Sequence, residues 1–203
     1  MAKKRIVVFA SGRGSNAEAL YKATKDGAIN GEFVGAVCDK PDAPFVLTAK
    51  SWNIPVIVAD RGSFATQADF EAYITERIAP LRADLICLAG FMRILSGRFI
   101  KPYENRIINI HPALLPSFKG LHGQKQAFDA GVKIAGCTVH FVVPDMDAGP
   151  IIVQDTVPVL EEDTADTLAA RILTKEHPAY IKAVSLFCDD KLEVAGNKVR
   201  IKA

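Results

Sequence analysis

The chain has 203 residues, of which 49% are apolar and 24% are charged, a composition typical of an ordinary globular protein. Its 25 basic and 23 acidic side chains leave a formal net charge of +2, so electrostatics give no reason to expect a nucleic-acid or membrane partner. No apolar run approaches the ~18 residues that a membrane helix requires. The four cysteines are spread evenly without a CxxC pair, which predicts free thiols, no metal site and a cytoplasmic location.

Short apolar, β-branched runs alternate with segments of helical periodicity in the N-terminal part of the chain. The predicted strands are residues 5–10, 33–38, 56–58, 85–89 and 106–110, and the predicted helices are 16–26, 44–51, 67–81 and 96–103. Strands that are apolar on both faces are covered by helices on both sides. This alternation predicts an α/β fold with a doubly wound, mostly parallel sheet.

The pattern changes after His111, where prolines and glycines in residues 112–123 predict a loop. A short helix at 124–130, strands at 132–143 and 151–159, a long amphipathic helix at 164–187 and a hairpin at 191–201 follow. A turn at 144–149 joins the two longer strands, which predicts an antiparallel C-terminal part. Residues 163–166 have the spacing of a capping box for the long helix. Because no linker or repeat interrupts the chain, residues 1–203 are predicted to form a single domain.

Two glycines separate the first predicted strand from the first predicted helix. Gly12 and Gly14 let the backbone turn sharply and approach an anion closely. Ser15 or Asn16 is predicted to cap the helix, which offers free N–H groups and the positive end of its dipole. The segment also fits a relaxed dinucleotide fingerprint, but a monophosphate is favoured over NAD. The third position of the fingerprint is Ala17, and the only candidate acid after the second strand, Asp39, follows an intervening cysteine. A tight turn that binds nothing is the alternative.

Three polar residues point to chemistry at a carbonyl group. Asn109 and His111 lie two residues apart, so their side chains share a face at the carboxyl end of a strand, where open α/β sheets bind ligands. Asn109 and a charged His111 are suited to stabilise an oxyanion, and Asp147 is suited to hold the imidazolium and manage an amine proton. No serine or cysteine is placed beside a base, which favours direct attack by a substrate amine. The alternatives are that Asn109 and His111 only cap the loop backbone at the end of the strand, and that Asp147 is a solvated acid in a surface turn.

Four segments carry a resemblance to a known family: residues 11–16, 88–95 (LAGFMRIL), 109–116 (NIHPALLP) and 136–149. Over roughly residues 5–190 the chain resembles the folate-dependent formyltransferases, and the first segment narrows the resemblance to the phosphoribosylglycinamide formyltransferases of purine synthesis. The resemblance implies a Rossmann-like formyltransferase fold. The N-terminal half, about residues 1–105, would bind the nucleotide, and the C-terminal half, about 106–203, would bind folate and hold the catalytic groups.

The resemblance also implies roles for individual residues. The phosphate of glycinamide ribonucleotide would lie on Gly12, Arg13, Gly14, Ser15 and Asn16, and its ribose would contact Glu176. The formyl donor, 10-formyltetrahydrofolate, would contact Met92, Arg93, Ile94, Leu95, Asn109, Val143, Pro144, Asp145, Met146 and Asp147. The family's catalytic trio corresponds to Asn109, His111 and Asp147. Family members often carry an arginine that helps to hold the folate at the position of Gln67.

Four other interpretations are open at this point. A methionyl-tRNA formyltransferase normally has an additional C-terminal RNA-binding domain, and a formyltetrahydrofolate deformylase usually has an additional N-terminal domain; here the first strand begins at Arg5 and the chain stops at Ala203. A nicotinamide-dependent oxidoreductase would use the glycine turn but leave Asn109, His111 and Asp147 unexplained. A non-catalytic nucleotide-binding module would bind without turnover. The expected partners are small molecules, with the chain as a monomer or a homodimer.

Overall fold

The computed structural model describes residues 2–202 and contains nine strands and six α-helices in that range. The strands are β1 (Lys4–Ala10), β2 (Gly31–Cys38), β3 (Val56–Val58), β4 (Leu85–Leu88), β5 (Ile107–His111), β6 (Ile134–Phe141), β7 (Ile151–Pro158), β8 (Leu192–Ala195) and β9 (Lys198–Ile201). The helices are α1 (Ser15–Lys25), α2 (Pro44–Lys50), α3 (Gln67–Ile78), α4 (Gly97–Ile100), α5 (Gly123–Asp129) and α6 (Ala165–Cys188). All the predicted elements are present, and the predicted ends of α3 and α4 continue as 3-10 turns at Ala79–Leu81 and Lys101–Tyr103.

All of these strands join one sheet, in the order β3-β2-β1-β4-β5-β6-β7-β9-β8. The five strands from β3 to β5 are parallel, whereas β6 runs antiparallel to both β5 and β7. The predicted α/β class, with a mostly parallel sheet and an antiparallel C-terminal part, is confirmed. The chain moves outward from β1 through β2 and β3 and then returns to β4 on the other side of β1. The carboxyl ends of β1 and β4 therefore flank the crevice in which doubly wound sheets bind ligands.

Helices cover both faces of the sheet, and the side chains of β1 alternate between the two cores. Ile6, Val8 and Ala10 pack in the core beneath α1 and α6, while Val7 and Phe9 pack in the core beneath α3 and α4. Both faces are removed from water, which explains why the strands are continuously apolar. The four cysteines are buried free thiols, as predicted. Within residues 2–202, no helix has the length and apolarity needed to cross a membrane.

The start of α1 differs from the sequence prediction. Gly14 precedes the helix in the left-handed region, with φ of 82°, and no side chain caps the helix, so the expected cap by Ser15 or Asn16 is wrong. A Cβ at position 14 would lie 2.5 Å from the ring of Phe45. The turn therefore needs glycine both for its backbone conformation and for the close approach of α2.

The cap of α6 also lies one residue further along than predicted. Its capping box joins Thr164 to Thr167, not the residues at 163 and 166. Asp163 is instead committed to Arg171, whose two terminal nitrogens each lie 2.6 Å from one carboxylate oxygen. Asp163, which the spacing predicts to cap the helix, therefore forms a bidentate ion pair with Arg171 two turns further along α6.

A tyrosine on α6 links the helix to the two strands that lead to the cavity described below. The buried hydroxyl of Tyr180 lies 3.0 Å from the carbonyl oxygen of Leu88 and 2.9 Å from that of Ile108. Because a hydroxyl has one proton, the two carbonyls share it, and the contact bridges the last residue of β4 and the second residue of β5. Glu176 lies four residues earlier on the same face of α6, so the helix that Tyr180 ties to the sheet also carries this acid.

Candidate active site

A cavity of about 380 Å³ opens at the carboxyl ends of β4 and β5. Its walls are the segment after β4, the loop after β5 and the turn between β6 and β7. The predicted donor-contacting and catalytic residues all line this cavity: Met92, Arg93, Ile94, Leu95, Asn109, His111, Val143, Pro144, Asp145, Met146 and Asp147. Residues selected from three separate parts of the sequence therefore meet around one space.

Both ring nitrogens of the buried His111 face an acceptor. Nε2 lies 2.8 Å from the carbonyl oxygen of Phe118, which can only accept, so Nε2 carries a proton and donates. Nδ1 lies 3.4 Å from Oδ2 of Asp147, which is close enough for an ion pair when the ring is protonated. Consequently, His111 can donate to a ligand only when that ligand replaces the Phe118 carbonyl.

Asp147 turns inward from the loop between β6 and β7. Its backbone is left-handed, with φ of 49°, a conformation that costs on the order of 1–2 kcal/mol for a residue other than glycine. The N–H of Gly120 donates to Oδ2 at 2.8 Å, and Oδ1 lies 3.7 Å from Nε2 of His140. Since its side chain is only 12% exposed, the interpretation of Asp147 as a solvated turn acid is wrong. Within residues 2–202, no group of three or more His, Cys, Asp and Glu side chains, this cluster included, has an arrangement that could hold a metal ion.

Asn109 lies directly opposite His140 in the register of β5 and β6. Nδ1 of His140 donates to the carbonyl oxygen of Phe141 at 2.8 Å, so Nε2 accepts from Nδ2 of Asn109 at 3.2 Å. Burial lowers the pKa of His140 more than the nearby Asp147 raises it, which keeps the ring neutral and Nε2 able to accept. His140 therefore holds one N–H of the Asn109 amide, and the second N–H is available to a ligand.

Three members of this cluster are not predicted from the sequence: His140, Phe118 and Gly120. His140 reads as a buried strand residue, and only its pairing with β5 places it beside Asn109. Phe118 and Gly120 act through backbone groups, and such contacts have no signature in residue type. A polar residue on the strand predicted to follow β5 was the one signal that could have indicated His140.

The glycine turn adjoins the cavity without lining it. Ser11, which follows β1, donates its N–H to the carbonyl oxygen of Gly90 at 3.1 Å. Its hydroxyl oxygen accepts from the N–H of Met92 at 2.8 Å. The turn after β1 and the cavity wall after β4 are thus joined at the crevice between the two strands.

A buried polar pair lies beside the glycine turn. Nδ2 of Asn16 on α1 donates to Oε2 of Glu176 on α6 at 2.7 Å. Burial raises the pKa of Glu176, and the hydrogen bond from Asn16 offsets part of that effect. Oδ1 of Asn16 is buried and has no hydrogen-bond partner among the described residues. Buried polar atoms are almost always satisfied, so this oxygen is suited to accept from a ligand hydroxyl or amine.

Asp39 has a different role from the one that a dinucleotide site would require. It lies just after β2, where dinucleotide-binding sheets place an acid for the ribose hydroxyls. Its carboxylate is fully buried, and Oδ2 lies 2.6 Å from Nε of Arg93. Because this guanidinium covers the acid, the nicotinamide interpretation loses its ribose contact. The same ion pair anchors Arg93, which lines the cavity.

The architecture and the polar cluster in the cavity are those of an α/β enzyme. The family model described as Formyl transferase matches residues 4–184. The chain therefore belongs to the formyl transferase family.

Individual relatives narrow this assignment. The phosphoribosylglycinamide formyltransferase of Bacillus subtilis is 42% identical over 177 residues, which are 87% of this chain and 91% of that protein. The trifunctional purine biosynthetic protein adenosine-3 of Drosophila melanogaster is 45% identical over 186 residues. These residues are 91% of this chain but only 14% of that longer protein. The crystal structure of glycinamide ribonucleotide transformylase 1 from Symbiobacterium toebii has a TM-score of 0.96 at 42% identity, covering 100% of this chain and 95% of that one. Within the family, this chain belongs with the phosphoribosylglycinamide formyltransferases, and the resemblance predicted from its motifs is confirmed.

Proposed function

We propose that the protein transfers the formyl group of 10-formyltetrahydrofolate to the amine of glycinamide ribonucleotide, a reaction of purine synthesis. The observation that carries this proposal is the convergence of Asn109, His111 and Asp147 in one cavity. The names of the relatives support the acceptor, and the lining of the cavity supports the donor, since a flat heteroaromatic ring system fits its largely apolar walls.

Direct attack by the amine is the mechanism that fits the cavity. The amine nitrogen bonds to the formyl carbon, negative charge develops on the formyl oxygen, and the bond from that carbon to the folate nitrogen then breaks. The free N–H of Asn109 donates to the oxyanion. Among the described residues, those that line the cavity include no serine, threonine, cysteine or lysine that could form a covalent intermediate. This composition supports attack without an enzyme-bound formyl group.

His111 and Asp147 complete the proposed charge balance. The formyl oxygen takes the place of the Phe118 carbonyl at Nε2 of His111, because an oxyanion is a stronger acceptor than a peptide carbonyl. Asp147, facing Nδ1 at 3.4 Å, stabilises the imidazolium. Through a water molecule, the same carboxylate relays the proton lost by the amine to the departing folate nitrogen.

The ribonucleotide is proposed to bind at the crevice between β1 and β4. Its phosphate lies on the backbone of residues 12–16, and its ribose hydroxyls meet Glu176 and the unpartnered Oδ1 of Asn16. We propose that residues 1–203 act as one domain, with the phosphate turn in residues 1–105 and the catalytic trio in 106–203. Two features connect the two halves: residues 92–95, which are proposed to contact the donor, lie in the first half, and Asn16 in the first half donates to Glu176 in the second.

The test is an absorbance assay of 10-formyltetrahydrofolate with and without glycinamide ribonucleotide. We expect loss of the formyl donor only when the acceptor is present. Donor hydrolysis without acceptor would indicate a deformylase, and binding of both ligands without turnover would indicate a non-catalytic module. Asp147→Asn keeps the side-chain shape but removes the charge, and should lower kcat by about 10²–10³ while both ligands still bind. Near-normal turnover in this variant would exclude Asp147 from the mechanism.

A further inference from the structure

The cavity wall at residues 90–96 has no regular secondary structure. Phe91 and Leu95 are buried in the core beneath α3, whereas Met92 and Ile94 are 57% and 66% exposed. Packing therefore holds two points of this segment, and the orientation of its peptide groups depends on hydrogen bonds from other elements.

One of those hydrogen-bonding groups is a buried acid on α3. Oε1 of Glu71 accepts from the backbone N–H of Ser96 at 2.7 Å and from Nε2 of Gln67 at 3.0 Å, and Oε2 accepts from the Ser96 hydroxyl. Nε2 of Gln67 also donates to the carbonyl oxygen of Ile94 at 3.0 Å. The glutamate is only 6% exposed. Two residues of α3 thus hold both ends of the Ile94 to Ser96 stretch.

The partners of Glu71 indicate what it does. A buried carboxylate is unfavourable unless its oxygens are hydrogen-bonded, and its donors here are Ser96 and the side chain of Gln67. The Ser96 hydroxyl oxygen also accepts from the N–H of Phe99 at 3.3 Å, so the same contact fixes the start of α4. The other end of the wall is anchored separately, through Ser11 on the Met92 N–H. Loss of Glu71 would therefore loosen one end of the wall and leave the other in place.

We propose that Glu71 is a positioning residue for the formyl donor, acting through the backbone of residues 94–96. This inference rests on the proposed function, because it assumes that the donor lies against this wall. Gln67 supports the same segment, because its side-chain amide donates both to Glu71 and to the carbonyl oxygen of Ile94. Neither side chain makes a hydrogen bond to the glycine turn or to the Asn109, His111 and Asp147 cluster.

The experiment compares four variants by calorimetric titration of 10-formyltetrahydrofolate alone and by the KM values of both substrates. Glu71→Ala should weaken donor binding about tenfold, because each lost hydrogen bond has a modest net effect. Gln67→Ala should weaken donor binding about threefold, because Gln67 is exposed to solvent. Glu71→Gln should recover affinity to within about threefold of the wild type, since its oxygen still accepts from the Ser96 N–H and its amide can donate to the Ser96 hydroxyl. Glu76→Gln, on the same helix with a side chain 81% exposed, is the matched control and should bind normally.

The outcomes separate positioning from a general role in stability. Positioning predicts that the KM for glycinamide ribonucleotide stays within about twofold of the wild type in every variant. Equal effects on both substrates, or unchanged donor affinity in Glu71→Ala and Gln67→Ala, would overturn the proposal. If Glu71→Ala does not fold, Gln67→Ala decides the question by the same criterion. A wild-type protein that does not bind the donor would reject the proposed function itself, before any variant is compared.

Discussion

Replacing Asn109 with alanine tests the oxyanion site most directly. The amide has two N–H groups, of which one is held by Nε2 of His140 at 3.2 Å and the other is available in the cavity. Removal of one oxyanion donor typically lowers kcat by about 10²–10³, equivalent to about 2.7–4 kcal/mol of transition-state stabilisation. The KM values should change little, because a neutral formyl oxygen gains far less from the donor than an oxyanion does.

The same substitution has a separate effect on stability. Alanine leaves Nε2 of the buried His140 without its donor, and an unsatisfied buried acceptor costs about 1–3 kcal/mol. We therefore expect a lower melting temperature in a protein that still folds and binds both substrates. Steady-state absorbance assays and calorimetry on the same preparation distinguish the loss of kcat from the loss of folded protein.

Asn109→Asp is the informative companion variant. Aspartate keeps the shape of the side chain but has no N–H to donate, and its charge would repel the developing oxyanion. It should therefore be less active than Asn109→Ala, although its carboxylate would favour protonation of His140. A loss of kcat smaller than about tenfold in Asn109→Ala, or an aspartate variant more active than the alanine variant, would refute the role assigned to this amide.

Three further predictions concern the glycine turn at Gly14, the buried acid Glu176 and the ion pair between Arg93 and Asp39. Gly14→Ala places a Cβ 2.5 Å from the ring of Phe45. Gly27→Ala is the control, because Gly27 has a similar φ, 80° against 82°, and its added Cβ would meet open space. Only Gly14→Ala should raise the KM for the ribonucleotide, by about tenfold or more. Burial raises the pKa of Glu176 above its unfolded value, so its stabilising contribution is present at low pH and is lost as pH rises through the folded-state pKa. At pH values well above 4.5, Glu176→Gln should therefore have a higher melting temperature than the wild type, whereas below pH 4.5 it should not. The same variant should bind the ribonucleotide more weakly. Arg93→Ala leaves the fully buried Asp39 unpaired and should lower the free energy of unfolding in urea by at most about 3 kcal/mol. This is the low end for broken buried ion pairs, because the side chain of Arg93 is 40% exposed. The double variant that also carries Asp39→Asn should recover part of the lost stability.

Sequence periodicity was sufficient for the elements and for the class of sheet. The apolar runs of β1 to β5 and the helical spacing between them are local properties, and burial on both faces of a parallel sheet leaves a direct record in them. The shared face of Asn109 and His111 follows from the two-residue period of a strand. Helix starts were less predictable, because the left-handed turn at Gly14 and the pairing of Asp163 with Arg171 depend on neighbours outside the capping pattern.

The residue types and the family motifs identify Asn109, His111 and Asp147 as candidates, because these features are written in the chain itself. Their arrangement depends on contacts between residues far apart in sequence. The register of β5 and β6 places His140 opposite Asn109, and the path of the loop after β5 brings the Phe118 carbonyl to the His111 ring. Likewise, the amide of Gln67 contacts Glu71 and the Ile94 carbonyl only because α3 packs behind that wall. Backbone groups and strand register have no residue-type signature, so the hydrogen-bonding state of the cluster was decided by the tertiary structure alone.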